Sequence, residues 1–92
     1  MRKEPERALI CRAAGETIVT LRKRKGIAQE KLALDARVER SHMSGIERGK
    51  FAPTLMTIYK LLPFLGVSFS EFAVEYERTL RRLLREPKSV SE

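Results

Sequence analysis

Apolar side chains recur along the chain at the spacing of α-helices, and five glycines separate the runs. No segment alternates apolar and polar residues over a length that would indicate a strand. The first run predicts a long helix from near Pro5, a residue tolerated at the first helical position, to about Lys25. Gly15 within this helix either interrupts it or allows another helix to approach closely. The whole pattern predicts an all-α fold of five helices, with an extended first and last helix.

Two short helices follow, and we expect them over residues 28–36 and 39–48. Only about three residues join them, so the two helices must cross at a steep angle. Ala33 is expected where they touch, because a larger side chain there would push them apart. A helix with a polar outer face beside a basic flank has the shape to enter the major groove of DNA. The second short helix has such a face, formed by Glu39, Arg40, Ser41, His42, Ser44 and Gly45.

The last two helices carry most of the large apolar side chains. Thr54 is expected to cap the fourth helix, which is apolar nearly all round and should therefore be buried. Pro63 lies in its last turn and is expected to kink or end it. Ser68 and Glu71 form a capping box for the fifth helix, which should run to about Glu86.

The fifth helix has an apolar stripe with heptad-like spacing, which is more than a small four-helix core needs. We therefore expect a dimer interface formed mainly by this helix and the end of the fourth. The side chains expected to form it are Phe72, Tyr76, Leu80 and Leu83. The alternative is that the fifth helix folds back on the first helix and the protein is monomeric.

Charge and composition narrow the classes of function. The 92-residue chain has a net charge of +7, and residues 1–50, with thirteen basic and seven acidic residues, hold +6 of it. A small basic domain most often binds a polyanion. A single cysteine, Cys11, excludes an internal disulfide, and the longest apolar run, 61–67, is too short to span a membrane. The first residues form neither a signal peptide nor an anchor, so we expect a cytoplasmic protein.

Residues suited to catalysis are scarce. A nucleophile and base pair could come only from Cys11 or a serine together with His42, the single histidine. Cys11 and His42 lie on separate predicted helices, and no carboxylate is evident to orient the histidine. The sequence also has no phosphate-cradling glycine loop and no metal-ligand spacing. We therefore expect no catalytic residues, no metal and no cofactor.

Four stretches of sequence carry a specific resemblance when taken together. In chain order they are LRKRKGIAQEKLA, VERSHMSGIERGK, PTLMTIYKLL and LGVSFSEF. Through them residues 15–72, nearly two thirds of the chain, resemble the lambda-repressor-like helix-turn-helix family of the Cro and Xre type. The stretch RSHMSGIERGK followed by PTL is also similar to the restriction–modification controller proteins of that family.

The resemblance implies roles for several residues. Gln29 matches the position that binds a DNA phosphate or reaches the first base, at a helix N-terminus suited to anions. Arg40 matches the leading position of the recognition helix, where a guanidinium can bond both O6 and N7 of guanine. Lys50 matches the loop that contacts the phosphate backbone, and Arg37 is expected as an added phosphate contact. Other outward positions of the recognition helix correspond to Ser41, His42, Ser44 and Gly45.

One pair is expected to be structural, and four positions depart from the family pattern: Arg37, Ala28, Glu39 and Pro63, which is unusual in the fourth helix. Arg22 and Glu47 match a family pair in which a bidentate bond would lock the recognition helix to the body of the domain. Arg37 stands where the turn usually has glycine, so a left-handed conformation there would cost roughly 1 kcal/mol. Ala28 and Glu39 stand where Ser, Thr or Asp usually caps a helix, which puts the local stability in question.

The resemblance implies a sequence-specific transcriptional regulator that binds a two-fold symmetric operator in double-stranded DNA as a homodimer. We expect an N-terminal helical extension (1–14), a DNA-binding core (15–67), a C-terminal dimerisation helix (68–86) and a tail (87–92). Activation would also need a contact with RNA polymerase. One alternative is a restriction–modification controller or an antitoxin-type autoregulator. The other is a protein-interaction module on the same fold, which would not need a charge of +6 in the half that holds the motif.

Overall fold

A computed structural model describes residues 6–86, and these form five α-helices. The helices are α1 (Arg7–Arg24), α2 (Gln29–Ala36), α3 (Arg40–Glu47), α4 (Leu55–Leu65) and α5 (Phe69–Arg85). The all-α class, the number of helices and the extended first and last helices are therefore confirmed. The expected helix start at Pro5 and the tail 87–92 lie outside the described residues.

The core lies where α1, α2, α3 and α4 meet, and α5 closes it from the side of α1. Each helix contributes the apolar face that its 3.6-residue spacing predicts. The buried apolar side chains at the centre are Ile18, Leu21, Leu32, Ala33, Ala36, Val38, Met43, Ile46, Leu61, Leu62, Leu65 and Phe72. Ala33 is almost fully buried, as expected for the residue at the crossing of α2 and α3.

The helix ends differ in how their free backbone groups are satisfied. Glu39 caps α3 by accepting a hydrogen bond from the backbone N–H of His42, so a carboxylate replaces the shorter side chains that are usual at this position. Ala28 offers no side-chain cap to α2. Pro63 lies in the last turn of α4 without ending it, and the helix ends two residues later, before Gly66, which has a φ of 72°.

The expectation that α4 is buried on all sides was wrong. Leu61, Leu62 and Leu65 are buried, but Leu55 and Met56 are 63% and 70% exposed. Tyr59, also exposed, stacks its ring on that of Phe69 with 5.3 Å between the centroids. The helix α4 has more apolar side chains than its contacts with α2 and α5 can bury. A continuous surface of large apolar side chains therefore remains on the outside of this helix.

The apolar stripe of α5 packs against α1 of the same chain. Phe72 and Leu83 are buried, Leu80 is half-buried, and the hydroxyl of Tyr76 donates a hydrogen bond to the carbonyl oxygen of Ile10 over 3.3 Å. This corrects the expected dimer interface on Phe72, Tyr76, Leu80 and Leu83. Packing within one subunit, which is the alternative that the spacing had left open, covers Phe72 and Leu83 fully and the side chains of Tyr76 and Leu80 in part.

Beside the apolar contact, ion pairs between charged side chains also connect α1 with α5 and the residue that follows it. Glu16 accepts hydrogen bonds from Arg12 and Arg82, and Glu86 pairs with the same two arginines. Burial alone would raise the pKa of Glu16, but the hydrogen bonds and charges of Arg82 and Arg12 hold the pKa below its ordinary value. The stabilisation from this lowered pKa is present above the pKa of the unfolded chain and is lost as the pH falls through the folded value.

Arg37 ends α2 in the left-handed region, with φ 60° and ψ 44°. A residue that has a β-carbon is strained in this conformation, whereas glycine adopts it freely. We therefore predict that Arg37→Gly leaves the free energy of unfolding unchanged or raises it by up to about 1 kcal/mol, since the greater freedom of glycine in the unfolded chain offsets part of the relief. Chemical denaturation of the two proteins measures the difference, and a clear loss of stability in the variant would contradict the prediction.

Candidate nucleic-acid interface

The helix α3 presents one polar face to solvent. Met43 and Ile46 are fully buried on its inner side. At 100° per residue, the exposed side chains of Arg40, Ser41 and Arg48 lie together with the partly exposed Ser44 on the opposite side. The buried contacts of Met43 and Ile46 fix the orientation of the helix. The outer face carries hydrogen-bond donors and acceptors that are exposed to solvent. Such a face can contact another polar surface without disturbing the fold.

Gly15 allows α1 to pass directly over the C-terminal end of α3. A β-carbon at this position would overlap the carbonyl oxygen of Ile46 and would lie 2.7 Å from that of Glu47. Of the two interpretations of this glycine, close approach of another helix is therefore confirmed. Backbone contact with α1 thus places the C-terminal end of α3.

A bidentate ion pair joins the same two helices. Nε of Arg22 donates to Oε2 of Glu47 over 2.8 Å, and Nη2 donates to Oε1 over 2.9 Å. The third nitrogen of the guanidinium, Nη1, donates to the carbonyl oxygen of Ile27 over 2.8 Å. The Arg22 side chain is 12% exposed and the Glu47 side chain 4%, so solvent screens the pair weakly. The expected geometry of this structural pair is confirmed.

Gln29 belongs to the same network. Its amide nitrogen donates to Oε1 of Glu47 over 2.8 Å, which directs this donor into the protein. The nitrogen carries a second N–H, so the expected contact with a phosphate or the first base does not require the bond to Glu47 to break. The backbone N–H groups of the first turn of α2 lack a side-chain cap, so they stay available to an anion.

Arg40 is the first residue of α3, and its side chain is exposed. Its Nη2 lies 2.5 Å from Oε2 of Glu30, the second residue of α2. Glu30 was not among the residues predicted from the sequence. The sequence feature that could have indicated it is a carboxylate near the start of α2, because the steep crossing brings the start of α2 close to the start of α3.

The serines of α3 are engaged in local hydrogen bonds. The hydroxyl of Ser41 donates to Glu39 over 2.6 Å, and this bond, with that from the backbone N–H of His42, lowers the pKa of the Glu39 carboxyl. Nε of Arg48 donates to the hydroxyl of Ser44 over 3.2 Å. Arg48 is a second residue of this face that was not predicted from the sequence. Its signal was its place four residues after Ser44, on the same face of the helix.

Gly45 does not lie on the exposed face, and its expected contact with DNA is corrected. It is buried beneath the ring of Phe51, whose Cζ would lie 2.5 Å from a β-carbon at position 45. The ring of His42 stacks on that of Phe51, with 4.9 Å between the two centroids. The glycine makes room for Phe51, and the aromatic pair joins α3 to the loop that follows it.

Two further basic residues lie beside the exposed face. Arg37, in the turn before α3, and Lys50, in the loop after it, are both exposed. Lys50 also donates its backbone N–H to the carbonyl oxygen of Gly45 over 2.9 Å, which ties the loop to the helix. The cationic side chains expected to contact phosphate thus flank α3 at both ends.

Within residues 6–86, no group of three or more His, Cys, Asp and Glu side chains is placed to hold a metal ion. Cys11 is buried as a free thiol. Over the same residues, no helix combines the length and the apolar character that crossing a membrane requires.

Comparison with known proteins adds to this geometry. A family model described as Helix-turn-helix matches residues 18–72. The chain is 34% identical over 65 residues to the HTH-type transcriptional regulator y4dJ of Sinorhizobium fredii, covering 71% of this chain and 84% of that protein. It is 35% identical over 66 residues to the HTH-type transcriptional regulator PuuR of Escherichia coli, covering 72% of this chain and 36% of PuuR. The similarity thus extends over just above a third of PuuR.

Two solved structures are similar to the fold. The clp gene regulator ClgR from Corynebacterium glutamicum has a TM-score of 0.78 at 23% identity, over 89% of this chain and 84% of that chain. At this identity the likeness concerns the fold alone. The restriction–modification controller protein C.Esp1396I has a TM-score of 0.69 at 26% identity, over 75% of this chain and 92% of that chain.

Proposed function

Because this chain belongs to the Cro/Xre-type helix-turn-helix family of DNA-binding transcriptional regulators, which are not enzymes, we propose that it binds a two-fold symmetric operator as a homodimer. The observation that carries this proposal is the polar face of α3, anchored from behind by Arg22 and Glu47 and flanked by cations. A helix held in this way fits the major groove of B-DNA. Its proposed partner is double-stranded DNA, and we propose that the protein acts in the cytoplasm.

The proposed contacts divide into two classes. Arg40 reads a base, since its guanidinium is exposed at the leading end of α3 and can bond O6 and N7 of guanine. Ser41 and Ser44 lie beside it. Their hydroxyl groups give up their hydrogen bonds with Glu39 and Arg48 and bond the base edges instead. The phosphate contacts, which position the protein without reading sequence, come from the N-terminus of α2 together with Arg37, Arg48 and Lys50.

Salt dependence of DNA binding tests the proposed function. If six or more phosphates are contacted, the affinity for DNA should fall by about a thousand-fold or more between 50 and 200 mM salt, because condensed counterions are released on binding. A gel shift with random genomic DNA at both salt concentrations measures this fall. Binding that does not respond to salt, or no binding at the lower concentration, would contradict the proposal and favour a protein-interaction module.

A second copy of the chain is the proposed occupant of the exposed apolar surface on α4, formed by Leu55, Met56 and Tyr59 with Phe69 of α5. An operator with two-fold symmetry calls for two recognition helices about 34 Å apart, one turn of DNA, and a symmetric dimer supplies them. An exposed patch of large apolar side chains is typical of an interaction surface. This replaces the interface on α5 that the sequence had suggested.

Met56→Glu should convert the proposed dimer to a monomer, because it places a charge on the apolar surface at a residue that is 70% exposed and so lies outside the core. The mass measured by sedimentation should halve while the helical content stays the same. Leu34→Glu is the matched control, since Leu34 is 75% exposed on α2, outside the proposed interface, and its variant should keep the dimer mass. A wild-type monomer, or a dimeric Met56→Glu protein, would contradict the proposed interface.

One more specific function is favoured by a single observation. The likeness to the controller protein C.Esp1396I, at a TM-score of 0.69 and 26% identity, covers 75% of this chain and 92% of that chain. We propose a controller-type regulator as the second candidate. Selection of bound oligonucleotides from a random pool, followed by a search for the selected sequence upstream of the protein's own reading frame, tests it. A contact with RNA polymerase stays a prediction.

A further inference from the structure

An acidic side chain holds the arginine that the proposed function assigns to base reading. Glu30 and Arg40 belong to different helices, α2 and α3, and pair across their crossing through Oε2 and Nη2 at 2.5 Å. Both side chains are mostly exposed, 65% for Glu30 and 71% for Arg40. Burial therefore does not force them together, and the pair does not belong to the core. It lies on the side of the domain that carries the proposed DNA-binding face.

The contact engages only part of the guanidinium. One nitrogen, Nη2, contacts Glu30, while no protein hydrogen bond or ion pair within residues 6–86 engages Nε or Nη1 of Arg40. A guanidinium has five donors in a rigid plane, so one can be bonded to a carboxylate while others reach a base. Glu30 can thus stay paired when Arg40 contacts DNA.

We propose that Glu30 is a positioning residue that sets the base specificity of Arg40, a role that rests on the proposed function. An unpaired arginine on a surface samples many rotamers, and ordering it on a base opposes binding. Glu30 restricts the side chain before DNA arrives and so lowers the cost of ordering it on guanine. On DNA that lacks a matching base, the carboxylate of Glu30 offsets the positive charge of Arg40. The attraction of Arg40 to the phosphates of such DNA is therefore weaker.

These two effects act on different complexes. Loss of Glu30 should weaken the complex with the operator, because Arg40 is no longer held in place. The same loss should strengthen complexes with random DNA, because a free guanidinium can contact any nearby phosphate. The ratio of the affinity for the operator to the affinity for random DNA therefore reports the positioning role. A general change in the charge of the protein alters both affinities alike and leaves this ratio the same.

Glu30→Gln tests the proposal, since it removes the charge and keeps the size of the side chain. The affinity of each protein is measured for two probes: the duplex selected by the wild-type protein from a random pool, and a random duplex of the same length. The ratio of affinities should fall about five-fold or more in the variant. Oligonucleotides selected by the variant should also lose preference at one base position in each half-site.

Two controls separate positioning from charge. Asp35→Asn removes one negative charge from the same helix, where Asp35 pairs with Lys31 rather than with Arg40, and it should leave the ratio unchanged. Glu30→Gln in an Arg40→Ala background should also leave the ratio unchanged, because the group that Glu30 positions is absent. Thermal denaturation should show that all variants keep the wild-type fold, as expected for exposed side chains.

The outcomes are distinct. A Glu30→Gln protein with the wild-type ratio, or one that binds both probes more tightly by the same factor, would overturn the positioning role while leaving the proposed function intact. An equal fall in the ratio for Asp35→Asn would also overturn it, since charge alone would then explain the effect. Failure of the wild-type protein to bind either probe would overturn the proposed function, and the role of Glu30 with it.

Discussion

Gly15→Ala is expected to lower the free energy of unfolding by about 3 kcal/mol, although the same substitution stabilises an ordinary helix by about 1 kcal/mol. The reason is the close crossing of α1 over the end of α3. The added methyl group would overlap backbone carbonyl oxygens of Ile46 and Glu47, and backbone cannot turn aside as a flexible side chain can. Separating the two helices would also stretch the buried contacts around Ile18.

Gly26→Ala provides the matched control for this measurement. Gly26 has a φ of 69° and open space around the position of a β-carbon, so its substitution should cost about 1 kcal/mol through backbone strain alone. Urea denaturation of both variants and the wild type gives the comparison. A Gly15→Ala protein as stable as the wild type would show that α1 and α3 can move apart at little cost, and the placement of α3 would then need another explanation.

Periodicity alone was sufficient to predict the helices. Each run of apolar side chains at 3.6-residue spacing became a helix within a few residues of its expected limits, because side chains on one face must share one core. The pair of Arg22 and Glu47 could also be predicted, although only through the family resemblance. These features depend on local spacing or on a pattern that the sequence itself carries.

Features that depend on which surfaces meet could not be predicted in the same way. The apolar stripe of α5 suits a second subunit or α1 equally well, and the sequence does not state that α1 covers Phe72 and Leu83. Gly45 appeared to lie on the outer face of α3, because nothing in its neighbourhood indicated that the ring of Phe51 would lie above it. The ion pair of Glu30 with Arg40 joins side chains ten positions apart, which only the crossing angle of α2 and α3 brings together.

The exposed face of α3 therefore depends on contacts behind it and beside it. The backbone of Gly15 sets the distance of its C-terminal end from α1, and Phe51 packs against its flank over Gly45. Glu30 lies at its N-terminal end beside Arg40. A groove-reading helix must hold its side chains in register with base pairs, so rigid support of the helix serves specificity as well as stability.

Loss of the Glu47 carboxylate should be the most damaging change to this support. We expect Glu47→Ala to lower the free energy of unfolding by about 3–5 kcal/mol, because it leaves the guanidinium of Arg22 weakly solvated and without its partner. The amide of Gln29 loses its acceptor at the same time. A domain of this size has about 5–14 kcal/mol of stability in total, so urea denaturation should show a large shift of the midpoint.

A double substitution and an exposed pair show whether burial is the cause. Arg22→Met combined with Glu47→Leu should recover a large part of the lost stability, because no unpaired charge is then left behind and apolar side chains fill the site. Asp35→Ala breaks a solvent-exposed pair with Lys31 and should cost less than about 1 kcal/mol. If Glu47→Ala cost no more than Asp35→Ala, the bidentate pair would not be what holds α3 against α1, and the backbone contact at Gly15 would have to place the recognition helix by itself.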